Sequence, residues 1–377
     1  MAGPSVDQIL APQVIAERFS RLEFPGTSLS KLLGFSISNF MGANPVGAVM
    51  DWALRSGQYD ILDISRRVAT GRTPGAASGR QKPQKVGEVQ FTIPRSAETI
   101  ELTYEALNNR RVLGASADQV DRNGLRYIDD QLQYLGQRFA NIIEFQAAAM
   151  LRGSYTFTQN GDDLEQGFTG GTITVDFQVP AANKDQLNLT GAGNRIAASW
   201  ATSTTDIVAQ LININADMIE LTGMGLEHII CRGQTWNNVV NNDIIQDQAG
   251  SAQSPFETIN RVSAGEFTAK LKALPWITWH IVDYGLELWN GSSYAWTNLI
   301  EDDHVMFLPN PSPAWVEYIR GMETVVEGPN GRRSDQYGFY SYSYPTHEPA
   351  GVNLSAVFNG IPALKRPKAI AYGDTTP

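Results

Sequence analysis

The chain has 377 residues, of which 42 % are hydrophobic and 10 % aromatic, so it can bury one or two substantial cores and is not disordered throughout. Its formal net charge of −10 argues against a dedicated nucleic-acid binder, because such proteins need a basic surface that releases counterions from phosphate. Cys231 is the only cysteine, which excludes an intrachain disulfide and a thiolate zinc site.

The first predicted element is an extended arm, because residues 1–50 contain prolines and glycines at a spacing that prevents a long regular element. Residues 59–68 and 86–93 then alternate apolar and polar side chains, as strands with one buried face do. The segment between them is rich in Gly and Pro and too polar to pack. We therefore predict a long β-hairpin with a mobile tip.

This hairpin is positively charged, although the chain as a whole is negatively charged. Between residues 66 and 95, seven cations accompany a single acid, Glu88. The seven cations are Arg66, Arg67, Arg72, Arg80, Lys82, Lys85 and Arg95. A solvated loop would explain the pattern; the alternative is a loop that lies on an acidic surface, most simply that of another copy of this chain.

A long amphipathic helix is predicted over residues 116–152. Ser116 and Gln119 have capping-box spacing, and Gly153 follows the predicted end as a stop signal. Apolar residues recur at alternating steps of three and four, which places them on one packing face. The residues expected to pack are Leu125, Ile128, Leu132, Leu135, Phe139, Ile142 and Ile143. An ordinary core helix is the simpler interpretation, but about ten turns would be long for a compact domain.

Downstream of the helix, residues 154–180 predict a second hairpin and residues 181–200 a polar connection. A helix is then predicted to begin at Thr204 or Thr205, with Asp206 in its first turn, and to end at Gly223.

The alternation of strands and helices that follows predicts an α/β lobe. Its elements are a strand at 226–232, a helix at 236–248, and strands at 273–283, 285–288 and 294–296. The C-terminal part reads as short strands, at 305–308, 315–318, 339–344, 354–358 and 369–372.

No pattern for catalysis, cofactor binding or metal binding emerges. The glycines near residue 75 lack the spacing and the lysine of a phosphate loop, and Gly191 and Gly193 lack the third glycine of a dinucleotide fingerprint. The four histidines are scattered, and the acidic cluster at 301–304 is interpreted as a solvated turn instead of a metal site. Cys231 ends an apolar run and is interpreted as a small buried side chain.

Two further classes of protein are weighed on composition. Several tryptophans between residues 276 and 315 could line a sugar-binding face, although core and subunit contacts explain them better. The N-terminus lacks the features of a signal peptide, and no apolar run reaches the ~18 residues of a membrane span. We therefore expect a protein made and kept in a cytosol, without contact to a membrane.

Four stretches of the sequence, residues 139–156, 229–236, 299–308 and 344–370, together resemble the lambda-type major capsid protein E family of tailed phages. Residues 139–156 resemble the end of its helix running into a Gly-x-Tyr-Thr strand start. Residues 229–236 resemble a strand followed by a helix with a tryptophan, and residues 299–308 an acidic turn followed by an apolar strand. Residues 344–370 resemble the C-terminal strand pair with its Pro-Leu step.

This resemblance implies an α+β protein of the Hong Kong 97-type fold. It implies an N-terminal arm over 1–50, an extended loop over 51–100, a peripheral domain over 101–200 and an axial domain over 201–303. The long helix would be the spine helix of the peripheral domain, and residues 304–377 would return as strands to both domains. No catalytic residue, cofactor or metal comes with the family.

The function that we expect is that of a structural subunit. Copies of the chain would form pentamers and hexamers that close into an icosahedral shell around packaged DNA, which is enclosed without sequence-specific binding. Scaffolding, portal and decoration proteins are further expected partners, and the virion and the host cytoplasm during assembly are the expected locations. The alternative is a β-rich carbohydrate-binding or depolymerising tail protein, suggested by the tryptophans.

Overall fold

Two large β-sheets and one long helix dominate the architecture, which is α+β. The computed structural model describes residues 28–35, 49–61, 87–103, 105, 122–158, 172–249, 255–263, 265–289, 293–327, 332–348 and 350–377. The α-helices are α1 Ser28–Leu32, α2 Arg122–Arg152, α3 Ile207–Thr222, α4 Gly233–Val240 and α5 Asp243–Ala249.

The strands in chain order fall into two large and three small sheets. The first nine are β1 Val49–Trp52, β2 Ser56–Ile61, β3 Gly87–Thr92, β4 Arg95–Thr103, β5 Ser154–Thr158, β6 Thr172–Asp176, β7 Lys184–Asp185, β8 His228–Cys231 and β9 Phe256–Ser263. The others are β10 Glu266–Leu271, β11 Leu274–Val282, β12 Gly285–Trp289, β13 Tyr294–Asn298, β14 His304–Leu308, β15 Val316–Glu327, β16 Arg332–Tyr337, β17 Phe339–His347, β18 Ala350–Leu364 and β19 Ala371–Asp374.

The six-stranded sheet is organised around β18. One half of this strand pairs with both β17 and β4, and the other half, Gly360 to Leu364, pairs with β15, which also pairs with β1 and β16. Nearly every residue of β18 is buried, as expected of a strand covered on both faces. Helix α2 packs along β18 and β4.

The seven-stranded sheet has the order β7-β19-β14-β8-β11-β10-β9. Its two faces serve two different cores, because successive side chains of a strand point to opposite sides. On β8, Ile229 and Cys231 join a core that includes residues of helices α3, α4 and α5, whereas Ile230 joins the core around α2. The two large sheets are therefore joined through a shared apolar layer.

Several predicted elements are confirmed. The base of the first hairpin exists as β2 paired antiparallel with β3, and the second hairpin as β5 paired with β6. Helix α3 exists but begins at Ile207 instead of Thr204 or Thr205, and Asp206 is its N-cap, whose side chain accepts a hydrogen bond from the Ala209 amide at 2.9 Å. It ends at Gly223, which has the left-handed φ of 76° that favours glycine. The predicted start of the long helix, near Ser116, lies outside the described residues.

Two predictions for the middle of the chain are wrong. The single helix expected over 236–248 is two helices, because the Asn242 side chain accepts from the amides of Ile244 and Ile245 and starts a new helix there. The connection expected over 181–200 also packs. It contributes Leu187, Ile196 and Trp200 to the second core.

Candidate assembly surfaces

The base of the first hairpin is anchored in the body of the subunit. Tyr59, Val89 and Phe91 are buried in the core around α2, and the Leu364 amide donates to the Tyr59 hydroxyl at 3.2 Å. The Trp52 indole covers Gly57, where any Cβ would clash with the ring. The hairpin thus leaves the subunit from a fixed platform.

Residues 62–86, which we call the cationic segment, connect the end of β2 to the start of β3. Ile61 pairs with Gly87, so residues 62–86 span 25 positions between two neighbouring strand ends. Hairpin connections usually have about two to five residues, so one of this length is unusual and favours a function of its own. Most of the predicted contact residues lie outside the described part of the chain: Arg66, Arg67, Arg72, Arg80, Lys82 and Lys85.

Arg95, the seventh predicted contact residue, is bound within its own chain. Its Nε lies 3.0 Å from a Glu323 carboxylate oxygen, and Asn359 donates to the same carboxylate at 2.8 Å. Burial alone would raise the pKa of Glu323, but the hydrogen bonds from Arg95 and Asn359 outweigh burial and lower it. Arg95 is therefore ion-paired within its own subunit, and its contact with a neighbouring copy stays a prediction.

The long helix presents one buried face and one exposed face. Ile128, Leu132, Leu135, Phe139 and Ile143 are at most 1 % exposed, and Ile142 is half-buried against the same core. The Phe139 ring meets Phe339 of β17 edge-on, with centroids 5.4 Å apart. Leu125 lies in the helix, but its side chain is outside the described residues. This face attaches the helix to the six-stranded sheet.

An exposed aromatic residue of α2, Tyr134, is linked through Arg138 to exposed aromatic residues of β13. Arg138 forms an ion pair with Glu98 of β4 at 2.7 Å and reaches the Tyr294 hydroxyl at 3.4 Å. Tyr134 and Tyr294 are both more than half exposed, and Trp296 on the same strand is 62 % exposed. Large exposed aromatic side chains are typical of surfaces that contact other proteins.

One end of the seven-stranded sheet is acidic, because several strand ends that carry carboxylates meet there. The exposed acids are Asp185, Asp283, Glu301 and Asp302, with Asp303 and Asp374 half-buried beside them. We call these six residues the acidic end. Arg232 offsets part of the charge through ion pairs with Asp283 and Asp302. An open cavity of about 520 Å³ adjoins it, lined in part by Asp185, Asp374 and Pro377.

The residues weighed for chemistry have ordinary structural partners. Cys231 is fully buried, and burial raises the pKa of its thiol, so it is a poor nucleophile. In the cluster at 301–304, Asp302 pairs with Arg232 while the His304 ring stacks on Tyr372. Among the described residues, no group of three or more His, Cys, Asp or Glu is placed to hold a metal ion.

One histidine pair was missed in the sequence. His228 Nδ1 and His280 Nε2 lie 3.1 Å apart, because the parallel pairing of β8 with β11 places the two residues on the same face. Burial and the neighbouring His228 lower the pKa of His280 to about 4. Only the pairing register, which the linear spacing of 52 residues does not reveal, could have predicted this contact.

The tryptophans whose side chains the structure describes do not form a common face. Trp200, Trp279 and Trp315 are fully buried, whereas Trp276 and Trp296 are half or more exposed on separate strands. None of the helices in the described ranges is long and apolar enough to span a membrane.

Comparison with solved structures identifies the fold. A crystal structure of a protein assigned as the capsid protein of a prophage of E. coli CFT073 superimposes with a TM-score of 0.57 over 99 % of each chain, at 12 % identity. A phage-related protein from Bordetella bronchiseptica RB50 superimposes with a TM-score of 0.50 over 97 % of each chain, at 14 % identity. The architecture therefore has the Hong Kong 97-type fold.

The sequence itself identifies the family. Residues 58–375 match the family model of phage major capsid protein E, and the chain belongs to that family. No curated protein matches the sequence. The role of the chain is that of a phage capsid shell protein, and the tail-protein alternative is not favoured.

Proposed function

We propose that copies of this chain form pentamers and hexamers that close into an icosahedral shell around packaged DNA. The shell encloses the DNA without sequence-specific binding, in keeping with the net charge of −10. The subunit acts through its contacts and not as an enzyme, and it uses no cofactor. The match to a capsid family over residues 58–375 supports this role.

We propose that the parts of the chain have different roles in the shell, and that these roles follow the two large sheets. Residues 1–50 act as an arm, 51–100 as the extended loop, and 101–200 as the peripheral domain with the spine helix. Residues 201–303 act as the axial domain, and 304–377 return strands to both. The structure adds that β14 and β19 lie in the seven-stranded sheet and β15 to β18 in the six-stranded one.

The proposed contact between copies joins the cationic segment of one subunit to the acidic end of the next. The segment 62–86 carries six cations and one acid, Asp63. The acidic end carries six carboxylates, of which Arg232 compensates only part. Opposite charges on two surfaces favour encounter and fix register, although each exposed ion pair contributes little alone.

The proposed setting is the virion, with assembly in the host cytoplasm. Scaffolding, portal and decoration proteins are proposed as further partners of the shell. The exposed aromatic residues Tyr134, Tyr294 and Trp296 offer one surface for such contacts.

Charge reversal of the segment tests the proposal. In the variant Arg80→Glu/Lys82→Glu/Lys85→Glu, the subunit should fold normally, while closed shells should fall at least tenfold in yield or form only at low salt. Folding should be normal because the changed residues lie between the two paired strand ends, outside β2 and β3. Negative-stain microscopy of wild type, variant and their mixtures gives the count of closed shells and of isolated rings.

The matched control keeps the charge and changes the side chains: Arg80→Lys/Lys82→Arg/Lys85→Arg should assemble like wild type. Reversal of Asp185 and Asp302 to Lys should restore assembly when mixed with the triple Glu variant. Normal shells from the triple Glu variant alone would remove the cationic segment from the contact. Isolated wild-type particles that never form rings or shells would reject the shell itself.

A further inference from the structure

A fully buried carboxylate joins the N-terminal segment to the long helix. Glu144, in the C-terminal half of α2, is 0 % exposed. Its two oxygens accept hydrogen bonds from the backbone amides of Leu29 and Ser30, each at 2.8 Å. The Tyr284 hydroxyl, just after β11, donates to the same carboxylate. Three donors from two distant parts of the chain therefore meet on one side chain.

The segment that Glu144 holds is seated in the core. Residues 28–35 form the short helix α1 and a closing turn, in which the Phe35 amide donates to the Ser30 carbonyl at 2.6 Å. Leu29, Leu33 and Phe35 are at most 3 % exposed, and the Phe35 ring meets Tyr318 edge-on at 5.0 Å. The segment is therefore packed into the core around α2.

The carboxylate is held in surroundings that disfavour its charge. Burial raises the pKa of Glu144 to about 7, and the hydrogen bonds from Tyr284, Ser30 and Leu29 only partly oppose this. The groups that face it are the hydroxyls of Tyr284 and Ser30 and the two amides; Glu266 of β10 acts on Tyr284 and also raises the pKa of that tyrosine. No cation among the described residues is a cause of the shift.

We propose that Glu144 is a proton-sensitive latch that holds the N-terminal segment 28–35 against the long helix. When the segment leaves its seat, the carboxylate reaches water and its pKa returns toward the ordinary value of a glutamate. The seated state then binds a proton more strongly than the open state. Seating is favoured below neutral pH and weakens as the pH rises through 7. This concerns the free subunit and stands apart from the contacts proposed for the shell.

Hydrogen exchange measures the latch directly. The amides of Leu33 and Phe35 are bonded within the segment, so their exchange reports its opening. After correction for the chemical exchange rate, the opening equilibrium should rise about tenfold between pH 6 and pH 8.5 in the wild-type subunit. In Glu144→Gln, which cannot ionise, the opening should be the same at both pH values.

Two further variants separate the latch from a merely structural role. Tyr284→Phe removes one donor to the carboxylate, so the pH midpoint of opening should move upward. Glu101→Gln, at an exposed carboxyl of β4, should leave the wild-type profile unchanged. Exchange of the segment that does not depend on pH in wild type, or a pH dependence that persists in Glu144→Gln, would overturn the proposal.

Discussion

Replacing Phe139 by Ala tests whether the buried face of the long helix holds the six-stranded sheet in place. The side chain is 0 % exposed and packs edge-on against Phe339. Truncating a buried Phe to Ala costs ~3–5 kcal/mol through lost transfer energy and the cavity left behind. The aromatic pair accounts for ~0.5–1.5 kcal/mol of this. Leu132→Ala, one layer along the same face, should cost ~2–5 kcal/mol.

The assay is urea unfolding of the free subunit, followed by far-ultraviolet circular dichroism. Gln133→Ala is the matched control, since Gln133 is exposed on the same helix and should change stability by less than about 0.5 kcal/mol. A double-mutant cycle between Phe139→Leu and Phe339→Leu isolates the ring contact from the rest of the burial. Equal and small effects of Phe139→Ala, Leu132→Ala and Gln133→Ala would refute the assignment of the buried face.

Two other predictions follow from buried groups of the seven-stranded sheet. Cys231→Ala should preserve shell assembly, and loss of assembly in a folded variant would contradict this. Thiol reagents should label wild-type Cys231 only after unfolding, because burial keeps the thiol protonated. The pKa of His280 is lowered from 6.5 to about 4 in the folded state, so wild type should lose up to roughly 3 kcal/mol of stability as the pH falls from 6.5 to 4. His280→Gln should flatten this dependence in acid unfolding curves, and an unchanged slope would show that another group carries it.

The elements with strong local signals could be predicted from the sequence. The long helix is indicated by the helical spacing of its apolar residues. Helix α3 is indicated by the capping residue Asp206 at one end and by Gly223 at the other. The strands that were missed lack such signals. Residues 257–262 of β9 are all exposed at the edge of the sheet, so no apolar alternation marks them. In β4, the side that faces the helix carries Ser96 and Glu98. These polar residues interrupt the alternation of apolar and polar side chains that would indicate a strand.

The candidate surfaces were predictable only where they are continuous in sequence. The cationic segment is a single stretch of chain, so composition reveals it. The acidic end is assembled from residues between 185 and 374 that meet only because the strands of one sheet end together. Glu144 shows the same limit in another form. From the sequence, a glutamate within a helix is expected to lie on the surface. Its role at a buried contact depends on the amides of Leu29 and Ser30, which are distant in sequence.

The course of the chain connects the base of the first hairpin with both large sheets. The chain passes between the two large sheets three times, after β4, between β14 and β15, and between β18 and β19. Tyr59 at the hairpin base accepts from the amide of Leu364 on β18, the strand around which the six-stranded sheet is built. The same strand continues through a short 3₁₀ turn into β19 at the acidic end. The hairpin base and the acidic end are therefore connected by one continuous run of chain, from the end of β18 to β19.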